Sequence, residues 1–254
     1  MKDKQNVIRL SQTSVSIAEV LRSSNEIIRK ESAVFSSKRP IDIKSEFSDF
    51  LKQQLSLSTA DETTLSWCSP KSVLVPGQIF SVDNISSYLN FVFGDCSDEP
   101  SDYNRLTELE MVNVYTIPDW VKSAAILNIP TILIQQDVSF LLRGLFQGAT
   151  FKPQGYVLIY DAYFLFCLVK HNQLVFLNHF EFQTEEDVLY YISYTLQQLN
   201  WMQEKMEIHV MAGFDEVSEL VDKVLNFQRE KNLFPNMKWI NSSDLLTLFA
   251  LKCV

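Results

Sequence analysis

The segment from Tyr156 to Phe182 constrains the fold more than any other part of the chain. Tyr156-Val157-Leu158-Ile159-Tyr160 and Tyr163 to Val169 are nearly unbroken apolar runs of strand length. Such runs mark strands buried on both faces. The stretch they form is interrupted by Asp161 and is too short to cross a bilayer as a helix. Lys170-His171-Asn172-Gln173 reads as a tight hairpin turn, because Asn tolerates positive φ. Leu174 to Phe182 is then a third strand.

Thr184-Glu185-Glu186-Asp187 reads as a capping box with Asp in place of Glu, and sets acids at the positive end of a helix dipole. Val188, Ile192, Leu196 and Leu199 continue that helix as an apolar stripe. Ile208 to Met211 is a short buried strand ending at Ala212-Gly213. Asp215 opens a helix with Val217, Leu220, Val221, Val224 and Leu225 on one face. Met237 to Ile240 is a fifth strand, and Ser242 or Ser243 caps a last helix carrying Leu245, Leu246, Leu248 and Phe249. Three hairpin-linked strands followed by alternating helices and strands imply a mixed five-stranded sheet with its first three strands antiparallel. That order is similar to the ribonuclease-H-like unit, one lobe of the actin-like ATPase fold. The likeness is one of fold and implies no activity.

The first 150 residues allow the same reading. Val7–Leu10, Val15–Leu21 and Glu26–Phe35 form a candidate meander, and Phe47, Phe50, Leu51 and Leu55 mark a helix. Strands follow at Thr64–Trp67, Ser72–Val75, Val112–Tyr115 and Thr131–Ile134. Helices are expected near Ile85–Phe91, over Pro118–Leu127 with Pro near the start, and over Val138–Phe146. Ile132-Leu133-Ile134 with Leu141-Leu142 and Phe146 echoes Trp239-Ile240 with Leu245-Leu246 and Phe249, a weak internal repeat. The expectation is a first lobe over 1–150 and a second over 151–254, with the boundary near Gly148 to Gly155. The acid-rich stretch Asp95 to Glu110, with Pro100 and Ser101, reads as a solvated loop insertion, or more sharply as an interaction loop.

A chain of 254 residues allows about two small lobes. Its 22 basic and 31 acidic residues leave a net charge of −9. That balance disfavours phosphate backbones and anionic lipid surfaces as partners. Glycine numbers only 6, where about 18 would be average at ~7%. A chain so poor in glycine has little material for wrapping backbone around phosphates. Cys68, Cys96, Cys167 and Cys253 form no C-x-x-C pair, so they read as small buried residues in a reducing compartment. Met1-Lys2-Asp3-Lys4-Gln5 leads into no apolar signal region. The expected location is the cytoplasm, without direct membrane insertion.

Leu74-Val75-Pro76, Tyr88-Leu89, Asn113-Val114-Tyr115-Thr116-Ile117-Pro118 and Leu174 to Tyr194 carry a resemblance to a family. On these segments the chain resembles a bacterial, Bacteroidetes-type family of unknown function whose members adopt a degenerate actin-like ATPase fold. The resemblance runs from about Ser45 onward and is clearest from Tyr163 to Leu199. Its motifs are structural, so it implies the fold and supplies no reaction.

Actin-like ATPases hold nucleotide with a glycine-containing hairpin turn in each lobe, typically Asp-x-Gly with Ser or Thr, and with a Gly-Gly pair beside the adenosine. The glycines permit close backbone approach, and carboxylates serve Mg²⁺. Here the second-lobe turn is Ile159-Tyr160-Asp161-Ala162-Tyr163-Phe164, which keeps an Asp but no Gly. The first-lobe turn, Leu10-Ser11-Gln12-Thr13-Ser14, has hydroxyls but neither Asp nor Gly. Met211-Ala212-Gly213-Phe214 keeps one Gly of two. Asp161 and Gly213 are therefore vestigial nucleotide-site candidates, and Asp161 also reads simply as a turn former.

No catalytic residue, cofactor or metal ligand is expected. His171, His179 and His209 lack metal-ligand spacing, and there is no G-x-S-x-G. Glu185, Glu186 and Asp187 are explained by capping rather than by a two-metal nuclease site. Tyr190, Tyr191 and Tyr194 either widen a packed helix face or form an exposed patch. The expected function is non-catalytic binding, scaffolding or regulation through a protein partner. Adaptors of cell-envelope machines such as FtsA and PilM supply the analogy within the fold. The alternative is a divergent ATPase or sugar-kinase-like phosphotransferase.

Overall fold

The computed structural model describes residues 3–96, 98–148 and 151–251. Contacts divide the chain into two units. One runs to Gln147 and is rejoined by the chain from Thr247 onward; the other is Gly148–Leu246. The last helix was expected to lie wholly in the second lobe, yet the chain from Thr247 groups with the first unit. Part of the expected boundary, residues 149 and 150, lies outside the described residues, as does Cys253.

In the first unit, strands β1 (Lys4–Leu10), β2 (Ser14–Leu21) and β3 (Glu26–Val34) form an antiparallel meander. Strands β4 (Glu62–Trp67) and β8 (Leu133–Gln136) add in parallel on the β1 side, giving the order β3-β2-β1-β4-β8. Helix α1 (Pro40–Ser56) starts on Pro40, whose missing N–H costs nothing at a helix start. It buries Ile43, Phe47 and Leu51 against Ile8, Leu10, Val15 and Ile17 of the meander. Helix α3 (Asp119–Asn128) joins the same core through Val121, Ala124 and Ala125. Trp120 meets Phe47 and Trp67 edge-on, at ring separations of 6.3 and 6.4 Å.

Between β4 and α3 the chain inserts a small module with its own core. It comprises β5 (Ser72–Pro76), α2 (Ile85–Phe93), β6 (Ser101–Leu106) and β7 (Met111–Thr116). The strands pair antiparallel in the order β5-β7-β6. Val75, Leu89, Cys96, Val112 and Val114 fill the core. This corrects the reading of Asp95 to Glu110 as a solvated loop. Part of it is strand β6, whose Asp102 pairs with Lys122 at 2.7 Å. An edge strand tolerates such charges because one side of it is unpaired.

A buried polar cluster ties this module to β8 and α4 (Asp137–Phe146). The Asn113 amide donates to Gln136 Oε1 (2.8 Å) and Ser139 Oγ (3.0 Å). Gln136 Nε2 donates to the Ser69 carbonyl, and the Asn104 side-chain oxygen accepts from Gln136 N and Ser139 Oγ. Hydrogen bonds among buried amides offset the cost of burying them and fix register as well as packing.

The second unit repeats the topology. Strands β9 (Gln154–Ile159), β10 (Tyr163–Lys170) and β11 (Gln173–Glu181) form the meander, with β12 (Met206–Ala212) and β13 (Met237–Asn241) added in parallel. The turn between β10 and β11 has His171 at φ 54° and Asn172 at φ 58°, the type I′ geometry of a two-residue hairpin. Helix α5 (Glu185–Gln198) carries the complete capping box at Thr184 and Asp187. Helix α6 (Ser218–Lys231) follows a 3₁₀ turn at Asp215–Val217 and ends on Asn232 in the left-handed region. Val188, Ile192 and Leu196 of α5, with Val221 and Val224 of α6, pack on Val157, Ile159, Phe164, Phe166, Ile208 and Val210. The last helix is α7 (Leu245–Ala250). Among the described residues, no helix is long and apolar enough to cross a membrane.

Candidate functional site

The two hairpin turns between the first pair of strands in each unit are the places where this fold could hold phosphate. In the first unit, the Ser11 hydroxyl oxygen accepts from the backbone N–H groups of Thr13 (3.1 Å) and Ser14 (3.0 Å). Ser11 N donates to the Ser14 carbonyl at 2.9 Å, and the Thr13 carbonyl accepts from Phe35 N at 2.8 Å. A short hydroxyl side chain that bonds ahead into its own turn in this way substitutes for a backbone acceptor. It also takes up the amides that would otherwise face a ligand anion.

In the second unit, Tyr160 N donates to the Tyr163 carbonyl at 2.9 Å, closing a two-residue turn with Asp161 and Ala162 at its exposed tip. The Asp161 carboxylate accepts from Ala162 N at 3.0 Å. The rings on either side of the tip turn inward. Tyr160 and Tyr163 stack at 4.5 Å, and Phe214 leans on Tyr160 at 6.1 Å. Tyr160 is 2% exposed.

Gly213 lies immediately beyond β12, and its N–H donates to the Ile159 carbonyl at 2.6 Å. A Cβ at Gly213 would stand 2.4 Å from Tyr160 Cδ1 and 2.8 Å from the Ile159 oxygen. The close approach that needs this glycine is therefore to a tyrosine ring of its own unit. Asp161 and Gly213 are thus brought to the same end of the sheet, separated by the Tyr160 ring. The residue overlooked in the sequence is Tyr160 itself. Its signal was the spacing Tyr160-x-x-Tyr163 across a turn, together with Gly213-Phe214 at the end of a later strand.

The other candidates lie elsewhere. His171 sits in its hairpin turn. His179, on β11, stands beside the Tyr163 ring, and burial pushes its pKa down to about 4. His209, on β12, stacks on Tyr156 at 5.0 Å and has Ser242 Oγ 3.0 Å from its Nδ1. Burial lowers its pKa as well. Cys68, Cys96 and Cys167 are buried thiols. Among the described residues, no three of His, Cys, Asp and Glu gather where they could hold a metal ion. Tyr191 packs against Phe180 at 4.9 Å, whereas Tyr190 and Tyr194 are exposed and stack on each other at 6.3 Å. The tyrosine cluster therefore divides between the two readings of it.

No curated protein matches the chain in sequence. Among solved structures, it is similar to a protein from Bacteroides thetaiotaomicron VPI-5482 described as having an actin-like ATPase fold and unknown function. The TM-score is 0.78 at 18% identity, covering 100% of this chain and 97% of that one. It is also similar to a chain of the PilM–PilN type IV pilus biogenesis complex, with a TM-score of 0.57 at 7% identity, covering 95% and 89%. At such identities the likeness is one of fold, and that fold is the actin-like ATPase fold. The model of a family described as protein of unknown function (DUF3822) matches residues 2–230, so the chain belongs to that family.

Proposed function

We propose that this is a non-catalytic bacterial protein of the cytoplasm, an actin-like fold that works by binding another protein as scaffold or regulator. In this reading Asp161 and Gly213 are remnants of a nucleotide site that no longer binds its ligand. The observation that carries the reading is at the two turns. The Ser11 hydroxyl takes up two amides of one, those of Thr13 and Ser14, and Tyr160 lies on the glycine beside the other. Phosphate recognition needs free backbone N–H groups and open space above them. A protein partner, with neither nucleic acid nor lipid, accords with a net charge of −9. It accords also with the PilM–PilN structure, in which a protein of this fold is part of a protein complex.

Thermal unfolding with and without millimolar Mg-ATP tests the loss of the nucleotide site. A ligand at 100 times its Kd stabilises by about 2.7 kcal/mol. Each kcal/mol moves Tm by about 2–4 °C in a chain near this size. Binding with Kd near ~10 μM would therefore raise Tm by at least ~5 °C. The expected shift is under ~1 °C. A rise of ~5 °C or more would favour the divergent ATPase or sugar-kinase-like phosphotransferase, and would make Asp161 and Gly213 the first positions to mutate.

A further inference from the structure

The second unit has a cleft where β9, β12 and β13 begin. Asp161 and Gly213 lie at the other end of the same sheet, just beyond the far ends of β9 and β12. At about 3.3 Å per residue, the six residues of β9 put roughly 20 Å between the two places. The cleft encloses about 410 Å³, within the ~300–1,000 Å³ of ligand-binding clefts. Its walls are fixed by the chain. Pro153 and Pro235 set the backbone φ in two of the three segments that enter the strands. Asn236 donates its amide to Gln203 Oε1 at 3.1 Å, tying the entry of β13 to that of β12.

The cleft is basic in an acidic chain. Lys152, Lys205 and Lys238 line it against a single acid, Glu207, whereas the whole chain carries −9. Lys238 is half committed, its Nζ standing 3.2 Å from Oε1 of Glu207, its neighbour across the β12–β13 pair. The nearby Glu204 is taken by Lys170 at 2.8 Å. Lys152 and Lys205 are exposed, and among the described residues neither has a hydrogen-bond or ion-pair partner. Gln154 adds a neutral donor, because its Oε1 accepts from the Tyr156 hydroxyl at 2.6 Å and its amide nitrogen is left to donate.

Adjacent strands lie about 4.8 Å apart, so one lysine at the start of each of three neighbouring strands spreads the cations over roughly 10 Å. A single phosphate or carboxylate cannot meet all three without drawing the side chains together. An extended acidic segment carries carboxylates about 7 Å apart on one face and meets the lysines where they stand. None of the three is Arg, whose planar fork suits bidentate phosphate. Nucleic acid also repeats its charge, but any longer contact would meet the net charge of −9.

We propose that this cleft is a docking site for an extended Asp/Glu-rich segment of a protein partner. The carboxylates of the segment pair with Lys152 and Lys205 and share Lys238 with Glu207, and the Gln154 amide supplies a further hydrogen bond. This inference rests on the reading of the protein as a binding module and adds the chemistry of the partner.

The test uses a rhodamine-labelled peptide of about nine residues in which Glu alternates with Ser, with Gln in place of Glu as control. Anisotropy is read against the whole chain, Lys152→Gln/Lys205→Gln, and Lys52→Gln/Lys223→Gln, which removes the same charge outside the cleft. All four lysines are exposed, so both variants should keep the wild-type Tm. Salt is held at about 150 mM, where charges beyond ~8 Å are largely screened. The Glu peptide should bind the wild type and the Lys52→Gln/Lys223→Gln variant alike, and bind the Lys152→Gln/Lys205→Gln variant about threefold or more weakly. The Gln peptide should not bind. No binding of the Glu peptide to the wild type, no weakening in the Lys152→Gln/Lys205→Gln variant, an equal weakening in both variants, or binding of the Gln peptide would overturn the proposal. So would displacement by inorganic phosphate as readily as by unlabelled Glu peptide, which would mark a single-anion site, or tighter binding of an oligothymidylate. A rise in Tm with Mg-ATP that disappears in the Lys152→Gln/Lys205→Gln variant would place nucleotide in this cleft and overturn the proposal. A rise that survives there would count against the wider reading alone, so the two can fail separately.

Discussion

Replacing Gly213 by Ala asks directly what that glycine is for. The new Cβ would lie 2.4 Å from Tyr160 Cδ1 and 2.8 Å from the Ile159 carbonyl oxygen, where carbon atoms ordinarily meet at about 3.5–4.0 Å. The ring must therefore move by roughly an ångström. It is 2% exposed and stacked at 4.5 Å on Tyr163, so it has nowhere free to go. Overpacking of a tight core costs about 1–3 kcal/mol. Ala also removes glycine's extra freedom in the unfolded chain, which works the other way by about 0.4–1 kcal/mol. The clash wins because ring and carbonyl must both yield, and the net loss should be about 1–2 kcal/mol. That is a fall in Tm of about 2–8 °C by calorimetry. Repeating the change in a Tyr160→Leu background removes the ring and should recover at least ~0.5 kcal/mol of the loss. An unchanged or raised Tm, or an equal loss in both backgrounds, would refute the account of Gly213 as a packing residue.

Ile192 is fully buried between α5 and the second sheet, so Ile192→Ala should cost about 2–5 kcal/mol in urea unfolding. A change under ~0.5 kcal/mol would mean that the helix does not bury this face. Thr184→Ala removes the cap of α5 and should cost about 0.5–2 kcal/mol by the same assay. Asp187 accepts from the N–H groups of Gln183 and Thr184, which hold its carboxyl below the ordinary aspartate range. A depressed folded-state pKa contributes stability above the unfolded value of about 3.9, and that stability is lost as pH falls through the lower folded value. The stability difference between wild type and Asp187→Asn should therefore shrink on going from about pH 7 to about pH 3; a constant difference would show that the carboxylate is not held by these bonds.

The second unit was the more legible because its central strands are buried on both faces and so read as unbroken apolar runs. Its turn and cap residues, Asn172 and Thr184, also carry their own local chemistry. Of the inserted sheet, Ser72–Val75 and Val112–Tyr115 read as strands, and β6 did not. Ser101-Asp102-Tyr103-Asn104-Arg105-Leu106 is an edge strand that meets Lys122 through Asp102, and charges on an edge strand look the same in sequence as charges on a loop. The outer strand of the first meander also carries charges, Arg29, Lys30 and Glu31, yet it reads as Glu26–Phe35 and is found as Glu26–Val34. The polar cluster was hidden because Asn113 and Asn104 find their partners at Gln136 and Ser139, far along the chain. At the candidate site, the missing glycines could be read directly. The positions taken up by the Ser11 hydroxyl and the Tyr160 ring depend on turn geometry, which periodicity does not report.

The return of the chain to the first unit bears on the order in which the protein can be completed. Gly144 of α4 lies so close to Phe249 that a Cβ there would stand 2.1 Å from the phenyl ring, and both residues belong to that unit. A ribosome delivers residues from the N-terminus onward, and domains generally fold as units as they emerge. Here the first unit to emerge still lacks a piece, since residues from Thr247 arrive only after the whole of Gly148–Leu246 has been made. The second unit is continuous in sequence and can close first. The surface of α4 that receives Phe249 must meanwhile wait in water, and a nascent chain halted before Thr247 would present it to chaperones.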